Sequence, residues 1–167
     1  MEIKNPIFEN FEFEQMYHLF TSVSGNEFIF RFDENYSFFL QKVDKYLMPY
    51  LDIHAYCLTP KHIHFIICFK SKNEIFKNLQ KEEVDFSKEK EHQFLMQPIS
   101  NLLNSYAKAY NKTYNRIGAL FLDFIKREIL DEEKYLLDKF KEIHLLPVEL
   151  KLVKSIEQWK YSSYKSY

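Results

Sequence analysis

Glycine is almost missing from this chain, with two glycines among 167 residues. Nucleotide-binding loops of the Rossmann and Walker types need several glycines close together, because their backbone must approach a phosphate without side chains in the way. Two glycines cannot build such a loop. The composition therefore excludes those nucleotide-binding classes, and we expect no nucleotide cofactor.

Cysteine and long apolar runs are scarce as well. The two cysteines, Cys57 and Cys68, both lie in apolar segments. They indicate buried thiols in a reducing compartment and not a disulfide framework. No stretch approaches the ~20 apolar residues that cross a bilayer, and no basic N-terminal segment leads into one. We therefore expect a cytoplasmic location and no membrane partner.

The chain also lacks an excess of either charge: 23 Lys and Arg face 24 Asp and Glu, for a formal net charge of −1. Nucleic-acid-binding domains often carry a basic excess, so the sum does not favour that function. The distribution of charge does favour nucleic-acid binding, because basic residues concentrate between positions 105 and 127, where tyrosines could stack on unpaired bases. A solvated basic face over core tyrosines is the alternative. The candidate DNA-binding residues are Lys108, Lys112, Arg116, Lys126 and Arg127.

Apolar and aromatic residues, in contrast, are abundant, at 46% and 18% of the chain. A chain of this length and composition can bury a sizeable core, and we expect one domain over residues 1–167. Residues 71–97 are charged and weakly periodic. They form either a loop with a short helix or an insertion.

Periodicity and turn residues predict an order of strand, helix, strand, strand, helix, strand. That order implies an α+β fold with an antiparallel sheet and helices on one face, and a further helix follows. The predicted strands cover 15–23, 51–58, 62–69, 119–125 and 128–130. The predicted helices begin at the cap Asp33 and end before Pro49, cover 99–114, and begin at the cap Asp131 and end at Pro147.

The most informative motif is His62-Ile63-His64, which opens an apolar run after a Thr-Pro-Lys turn. Side chains alternate along a strand, so His62 and His64 should point to the same face. Two imidazoles in this arrangement can hold one divalent metal ion. Short motifs also arise by chance, and two polar residues at the start of a strand are the alternative.

This segment resembles the strand–turn–strand of the single-tyrosine HUH transposases, which include the insertion-sequence-200-like and REP-associated tyrosine transposases. HUH denotes histidine, a bulky hydrophobic residue and histidine. Thr59 and Lys61 depart from the methionine and asparagine of the family turn. Four further segments match in order: 17–23, 35–40, 104–112 followed by 116–121, and 159–164.

The resemblance implies a ferredoxin-like, or RNA-recognition-motif-like, antiparallel sheet with the HUH pair on a central strand and helices packed on the sheet. It also implies a homodimer, single-stranded or hairpin DNA as the partner, and a divalent metal ion such as Mg2+ or Mn2+. In the family a tyrosine attacks single-stranded DNA and forms a covalent bond to it. The two histidines and a polar residue one helical turn after that tyrosine hold the metal ion.

The catalytic helix departs from the family pattern. Ile143, Pro147 and Val148 align with the motif and fix its register. The nucleophile position is then Glu142, and the third-ligand position is Leu146. A glutamate cannot form a phosphotyrosine bond and a leucine cannot bind metal. The sequence therefore predicts a transposase-like DNA-binding protein whose nicking and joining activity is impaired.

Two alternatives leave an activity open. Tyr135 lies seven residues before Glu142 on the same helix face and is a substitute nucleophile, displaced by roughly 10 Å along the axis. Alternatively, His62, His64 and Glu142 form a metal site that activates water for phosphodiester hydrolysis or is only structural. We assign no role to the other histidines.

Overall fold

A four-stranded antiparallel sheet organises the chain, of which the computed structural model describes residues 8–122 and 125–166. The order across the sheet is β2-β3-β1-β4, so β1 and β3 are central. This is the ferredoxin-like α+β fold that the sequence predicts. The elements are β1 (Met16–Ser22), α1 (Asp33–Leu47), β2 (Leu51–Thr59), β3 (His62–Phe69), α2 (Lys72–Leu79), α3 (Lys88–Thr113), β4 (Lys126–Ile129) and α4 (Glu133–Glu149).

The register of the central strands determines which side chains share a face. Phe20 of β1 pairs with His64 of β3, and Ser22 pairs with His62, so both histidines project from one face of a central strand, as predicted. On the same face, His18 of β1 lies directly opposite Glu128 of β4. Four polar side chains from three strands therefore emerge on the same side of the sheet.

The helices lie on both faces of the sheet and not on one face as expected. On one face, α1 and α3 pack on a core rich in aromatic residues, where the buried ring of Phe39 contacts both Phe65 and Tyr106. On the other face, Ile143 of α4 packs against Ala55 and Ile66. The order of elements predicts how the strands pair, but the last helix can return to either face of the sheet. The apolar side of α4 packs on the smaller apolar patch around Ala55 and Ile66.

The second long helix begins earlier than predicted. α3 starts at Lys88, with the Ser87 hydroxyl accepting a hydrogen bond from the backbone N–H of Lys90, and it contains Pro98. Its first turns are charged and exposed, so they lack the apolar period by which the sequence can reveal a helix. The expected short helix in residues 71–97 is α2. No helix in the described ranges is long and apolar enough to cross a membrane.

Three predicted boundaries are wrong. Asp33 is the first residue of α1 and not its cap, because Asn35 Oδ1 accepts the backbone N–H groups of Arg31 and Phe32 there. The cap of α4 is Glu132 and not Asp131. Pro147 does not end α4, which runs to Glu149: one missing N–H near the end of a helix is tolerated when packing holds the last turn.

A strand is predicted at 119–125, but residues 119–122 and 125 do not form one. Residues 123 and 124 lie outside the described residues. Phe121 makes one isolated bridge to Val23, and the backbone N–H of Leu122 donates to Ser22 O at 3.0 Å. The fourth strand is β4, which pairs with β1 from Lys126 onward.

The chain after α4 covers the free edge of β2. The backbone N–H of Leu58 donates to Tyr161 O at 2.9 Å, and that of Ser163 donates to Tyr56 O at 3.0 Å. The indole N–H of Trp159 donates to Leu58 O at 2.9 Å. An uncovered edge is a template for pairing with another chain, so this tail protects the sheet.

Removing residues 159–167 should therefore destabilise the protein and promote self-association. Losing these hydrogen bonds should lower the free energy of unfolding by about 3 kcal/mol, because each contributes roughly 1 kcal/mol. Urea unfolding and light scattering measure both effects, with the exposed substitution Lys165→Ala as the control. Unchanged stability and a monodisperse profile would contradict the assigned role of the tail.

Candidate functional site

A chain of polar side chains runs between the sheet and α4. His18 Nδ1 lies 2.7 Å from Glu128 Oε1, and His18 Nε2 lies 3.0 Å from His64 Nδ1. The rings of His18 and His64 are nearly parallel, with centroids 5.3 Å apart. His18 is 3% exposed, so this carboxylate–imidazole–imidazole chain is shielded from solvent.

Helix α4 contributes the other half of the network through residues at positions i, i+4 and i+7. The hydroxyl of Tyr135 donates to Glu128 Oε2 at 2.6 Å. Lys139 Nζ lies 3.1 Å from Glu128 Oε1 and 3.0 Å from Glu142 Oε2. This spacing puts the three side chains on one helix face, and that face is turned to the polar residues of the sheet.

The charged groups of the network stabilise one another in their ionised forms. Burial alone would raise the pKa of Glu128, but hydrogen bonds from His18 and Tyr135 and the charge of Lys139 lower that pKa to about 2. Burial likewise opposes the ammonium form of Lys139, yet its bonds to Glu142 and Glu128 raise its pKa. One ammonium therefore lies between two carboxylates.

The ionised Glu128 fixes the tautomers of both histidines. A carboxylate only accepts, so His18 Nδ1 must donate its proton, which makes His18 Nε2 an acceptor in the neutral ring. His64 Nδ1 then donates to it, and the lone pair of His64 lies on Nε2. Burial lowers the pKa of His18 and, with the neighbouring histidines, lowers that of His64 to about 3, so both rings are neutral at pH 7.

A cavity of about 190 Å³ lies beside the histidine pair. Lys126 extends from the same sheet face as His64, because both residues pair with Phe20. The Lys126 ammonium gives the cavity a charged donor that suits a phosphate group. The lining residues are Phe20, Thr21, Ser22, His62, His64, Leu122 and Lys126.

The predicted metal set is only partly assembled. The ring centroids of His62 and His64 lie 6.2 Å apart, tilted by 42°. Glu142 pairs with Lys139, and 52% of its side-chain surface is exposed. Among residues 8–122 and 125–166, no group of three or more His, Cys, Asp or Glu side chains is arranged to hold a metal ion. The imidazoles suit a metal ion, but the carboxylate expected beside them is bound to an ammonium.

Tyr135, the predicted substitute nucleophile, lies in the network with its hydroxyl bound to Glu128. Burial, followed by that hydrogen bond and the nearby carboxylates, raises its pKa. The tyrosinate that would attack a phosphorus atom is therefore disfavoured. The carboxylate beside it is a weak base, because its own pKa is about 2.

The predicted DNA-binding residues fall into separate environments. Arg127 is 6% exposed and donates to Glu9 O at 2.7 Å and Ile125 O at 3.1 Å, so its guanidinium bonds to the backbone inside the protein. Its neighbour Lys126 points to the opposite face and lines the histidine cavity. Arg116 Nε pairs with Glu27 Oε1 at 3.0 Å. Both remaining residues of the set, Lys108 and Lys112, are exposed on α3.

Sequence reasoning missed three members of the network: His18, Glu128 and Lys139. A partial signal was present, since Lys139 falls at helical spacing between Tyr135 and Glu142. The pairing of His18 with Glu128 depends on the register between strands 110 residues apart, which a single sequence does not reveal.

Comparisons with known proteins find a similar fold. A solved structure of a REP-associated tyrosine transposase bound to a REP hairpin superposes with a TM-score of 0.63 at 12% identity, over 99% of this chain and 84% of that chain. No protein-family model matches the sequence, and a search of curated proteins finds no match. At this identity the likeness shows a shared fold.

The network makes folding sensitive to acid. Histidines with a lowered pKa bind fewer protons in the folded than in the unfolded chain, so their stabilisation is complete above the ordinary histidine pKa of 6.5 and falls below it. Glu128 acts in the same direction between its ordinary value of 4.5 and about 2.

We therefore expect the free energy of unfolding to fall steadily as the pH drops below 6.5. Urea titrations at a series of pH values measure this slope. His64→Gln should flatten it, whereas the matched variant His54→Gln, at an exposed histidine, should leave it unchanged. Equal slopes in all three proteins would mean that the histidines are not protected from protonation by the fold.

Proposed function

We propose that this protein binds hairpin or single-stranded DNA without forming a covalent tyrosyl–DNA bond. The observation that carries the proposal is the ion pair between Lys139 and Glu142 at 3.0 Å, because the family resemblance implies that Glu142 stands at the nucleophile position. We place this function in one domain over residues 1–167 and in the cytoplasm, where Cys57 and Cys68 remain free thiols.

Binding is supported by the shared fold and by the cavity beside the histidines. The structural neighbour at TM-score 0.63 was solved with a DNA hairpin. In this chain Lys126, His62 and His64 line one cavity on an otherwise open part of the sheet. Lys108 and Lys112 add exposed positive charge along α3. Phosphate contacts of this kind make affinity fall steeply with added salt.

Loss of nicking is supported by the engaged state of every candidate group on α4. The Tyr135 hydroxyl donates to Glu128, and the Glu142 carboxylate accepts from Lys139. His62 and His64 are the residues that would hold Mg2+ or Mn2+, and a bound ion would polarise a phosphodiester. Because Glu142 is paired with the ammonium of Lys139, the carboxylate predicted as the third ligand is not beside the two histidines.

The unmodified protein should retard a hairpin oligonucleotide in a gel without a DNA-linked species on a denaturing gel, with Mn2+ present. Lys126→Gln should weaken binding and reduce the slope of log K against log salt by about 1, because one phosphate contact is lost. The matched control is Lys77→Gln on α2, at an exposed lysine away from the cavity.

Other products would identify other functions. A covalent adduct abolished by Tyr135→Phe would make Tyr135 the nucleophile, and an adduct that survives it would place the nucleophile on another tyrosine. Free cleaved ends without an adduct would indicate a phosphodiesterase that uses His62, His64 and Glu142. If nicking appears only in the double variant Glu142→Tyr with Leu146→Asn, the rest of the site has remained competent.

We also propose that the protein is a homodimer. Support comes from the exposed apolar residues Leu137 and Leu145 of α4, which are 51% and 40% exposed. Leu137 borders an apolar groove of about 410 Å³ between α4 and the sheet, which a second copy could fill. Burial of such surface is favourable and drives association.

Light scattering should therefore give twice the chain mass of 20.4 kDa. Leu137→Glu should shift the protein to the monomer, because a carboxylate would be buried at the interface. Val84→Glu, at an equally exposed residue in the loop before α3, should leave the dimer intact. A monomeric unmodified protein would refute the proposal.

A further inference from the structure

An exposed aromatic ring borders an open cavity at the turn between β2 and β3. Phe28 is 48% exposed, although the residues that follow it, Ile29 and Phe30, are buried. The cavity has a volume of about 720 Å³. Its lining residues are Asn26, Glu27, Phe28, Phe30, Arg31 and Pro60.

The loop that carries Phe28 is held firmly in place. The backbone N–H of Ile29 donates to Pro60 O at 2.7 Å, which ties the loop to the β2–β3 turn. From α3, the hydroxyl of Tyr110 donates to Phe28 O at 2.5 Å and that of Tyr106 donates to Ile29 O at 2.6 Å. Phe28 is therefore displayed by a preorganised backbone, which reduces the entropy lost on binding a ligand.

Basic residues lie at the ring and in the lining of the cavity. Lys61 Nζ lies 5.4 Å from the centroid of Phe28, and the Arg31 guanidinium lies 4.3 Å from the centroid of Tyr114. The one acid of the lining, Glu27, pairs with Arg116 at 3.0 Å and with Arg31 at 3.4 Å. Glu27 thus pairs with two arginines, and Lys61 lies beside the ring, so these four side chains leave a net positive charge for an anionic ligand.

The turn between β2 and β3 connects this cavity to the histidine site, because Pro60 lines one cavity and His62 lines the other. Lys61, which approaches Phe28, directly precedes His62, and its carbonyl accepts the backbone N–H of Val23 at 3.1 Å. The residue next to His62 thus lies beside the exposed ring of Phe28.

We propose that this cavity binds an unpaired nucleotide of single-stranded DNA. The base stacks on Phe28, the adjoining phosphates meet Lys61 and Arg31, and the amide of Asn26 faces the edge of the base. An exposed ring beside cations is the arrangement by which proteins bind unpaired bases without strict sequence preference. The inference rests on the proposed DNA-binding function and gives it a location for the unpaired part of the ligand.

The charges favour this occupant over an apolar peptide. An apolar peptide would gain binding energy only from contact with Phe28, whereas a nucleotide would contact both the ring and the nearby cations. A base also needs only one face of the ring, and one face is what an exposed phenylalanine on a fixed loop offers.

The test measures binding of two fluorescent oligonucleotides to the full chain: a blunt hairpin and the same hairpin with a short single-stranded tail. Phe28→Leu removes the aromatic face while keeping an apolar side chain. Phe38→Leu is the matched control, because Phe38 is 39% exposed on α1 and has Lys42 Nζ 4.8 Å from its centroid. Both changes affect exposed rings, and thermal unfolding checks that both variants fold.

We expect Phe28→Leu to weaken binding of the tailed hairpin about 10-fold and to leave the blunt hairpin unaffected, because stacking contributes roughly 1–3 kcal/mol per base. A fluorescent adenine analogue in the tail should be quenched by the unmodified protein and by Phe38→Leu, and not by Phe28→Leu.

Equal binding of the tailed hairpin by the unmodified protein and Phe28→Leu would overturn the subsite and leave the proposed function standing. An equal loss for both oligonucleotides in Phe28→Leu would also overturn it, since the ring would then not be specific for unpaired bases. If the unmodified protein binds neither oligonucleotide, the proposed function fails together with the subsite.

Discussion

The arrangement of the candidate site depends on one buried ion pair, between Lys139 of α4 and Glu128 of β4. Lys139 is 7% exposed, and its ammonium acts with the hydrogen bonds from His18 and Tyr135 to keep Glu128 ionised in a place where burial alone would favour the neutral acid. The ionised carboxylate in turn directs the protons of His18 and then of His64. Without these three partners, burial would favour protonation of Glu128, and the histidine tautomers would no longer be determined.

The same ammonium governs where Glu142 points. The half-exposed carboxylate of Glu142 lies one helical turn from the buried ammonium of Lys139 on the same helix face, and the two form an ion pair. Lys139 thus supplies positive charge between the carboxylates of Glu128 and Glu142. This arrangement stabilises the contact between α4 and the sheet, and it uses the groups that metal-dependent cleavage would need.

The sheet and its central histidine pair could be predicted because they follow from local patterns: alternation in β3, a turn at Pro60, and helical periodicity in α1. The polar network between the sheet and α4 could not be predicted. His18, Glu128 and Lys139 come together only through the register of the strands and through the face of the sheet on which α4 packs. The two-sided packing of the helices was missed for the same reason. Arg127 looked like a surface cation in the sequence, yet its guanidinium bonds to backbone carbonyls inside the core.

The tail that covers β2 also fastens α4. His144 Nδ1 donates to Phe140 O, so its Nε2 accepts the hydroxyl of Ser163 at 2.9 Å, while Ser163 Oγ accepts the backbone N–H of Tyr56 at 2.8 Å. The helix is thus held near its first turns by Glu128 and near its last turns by the tail. Domain swapping of α4 between two copies would require both attachments to break, which favours a helix that serves the sheet of its own chain.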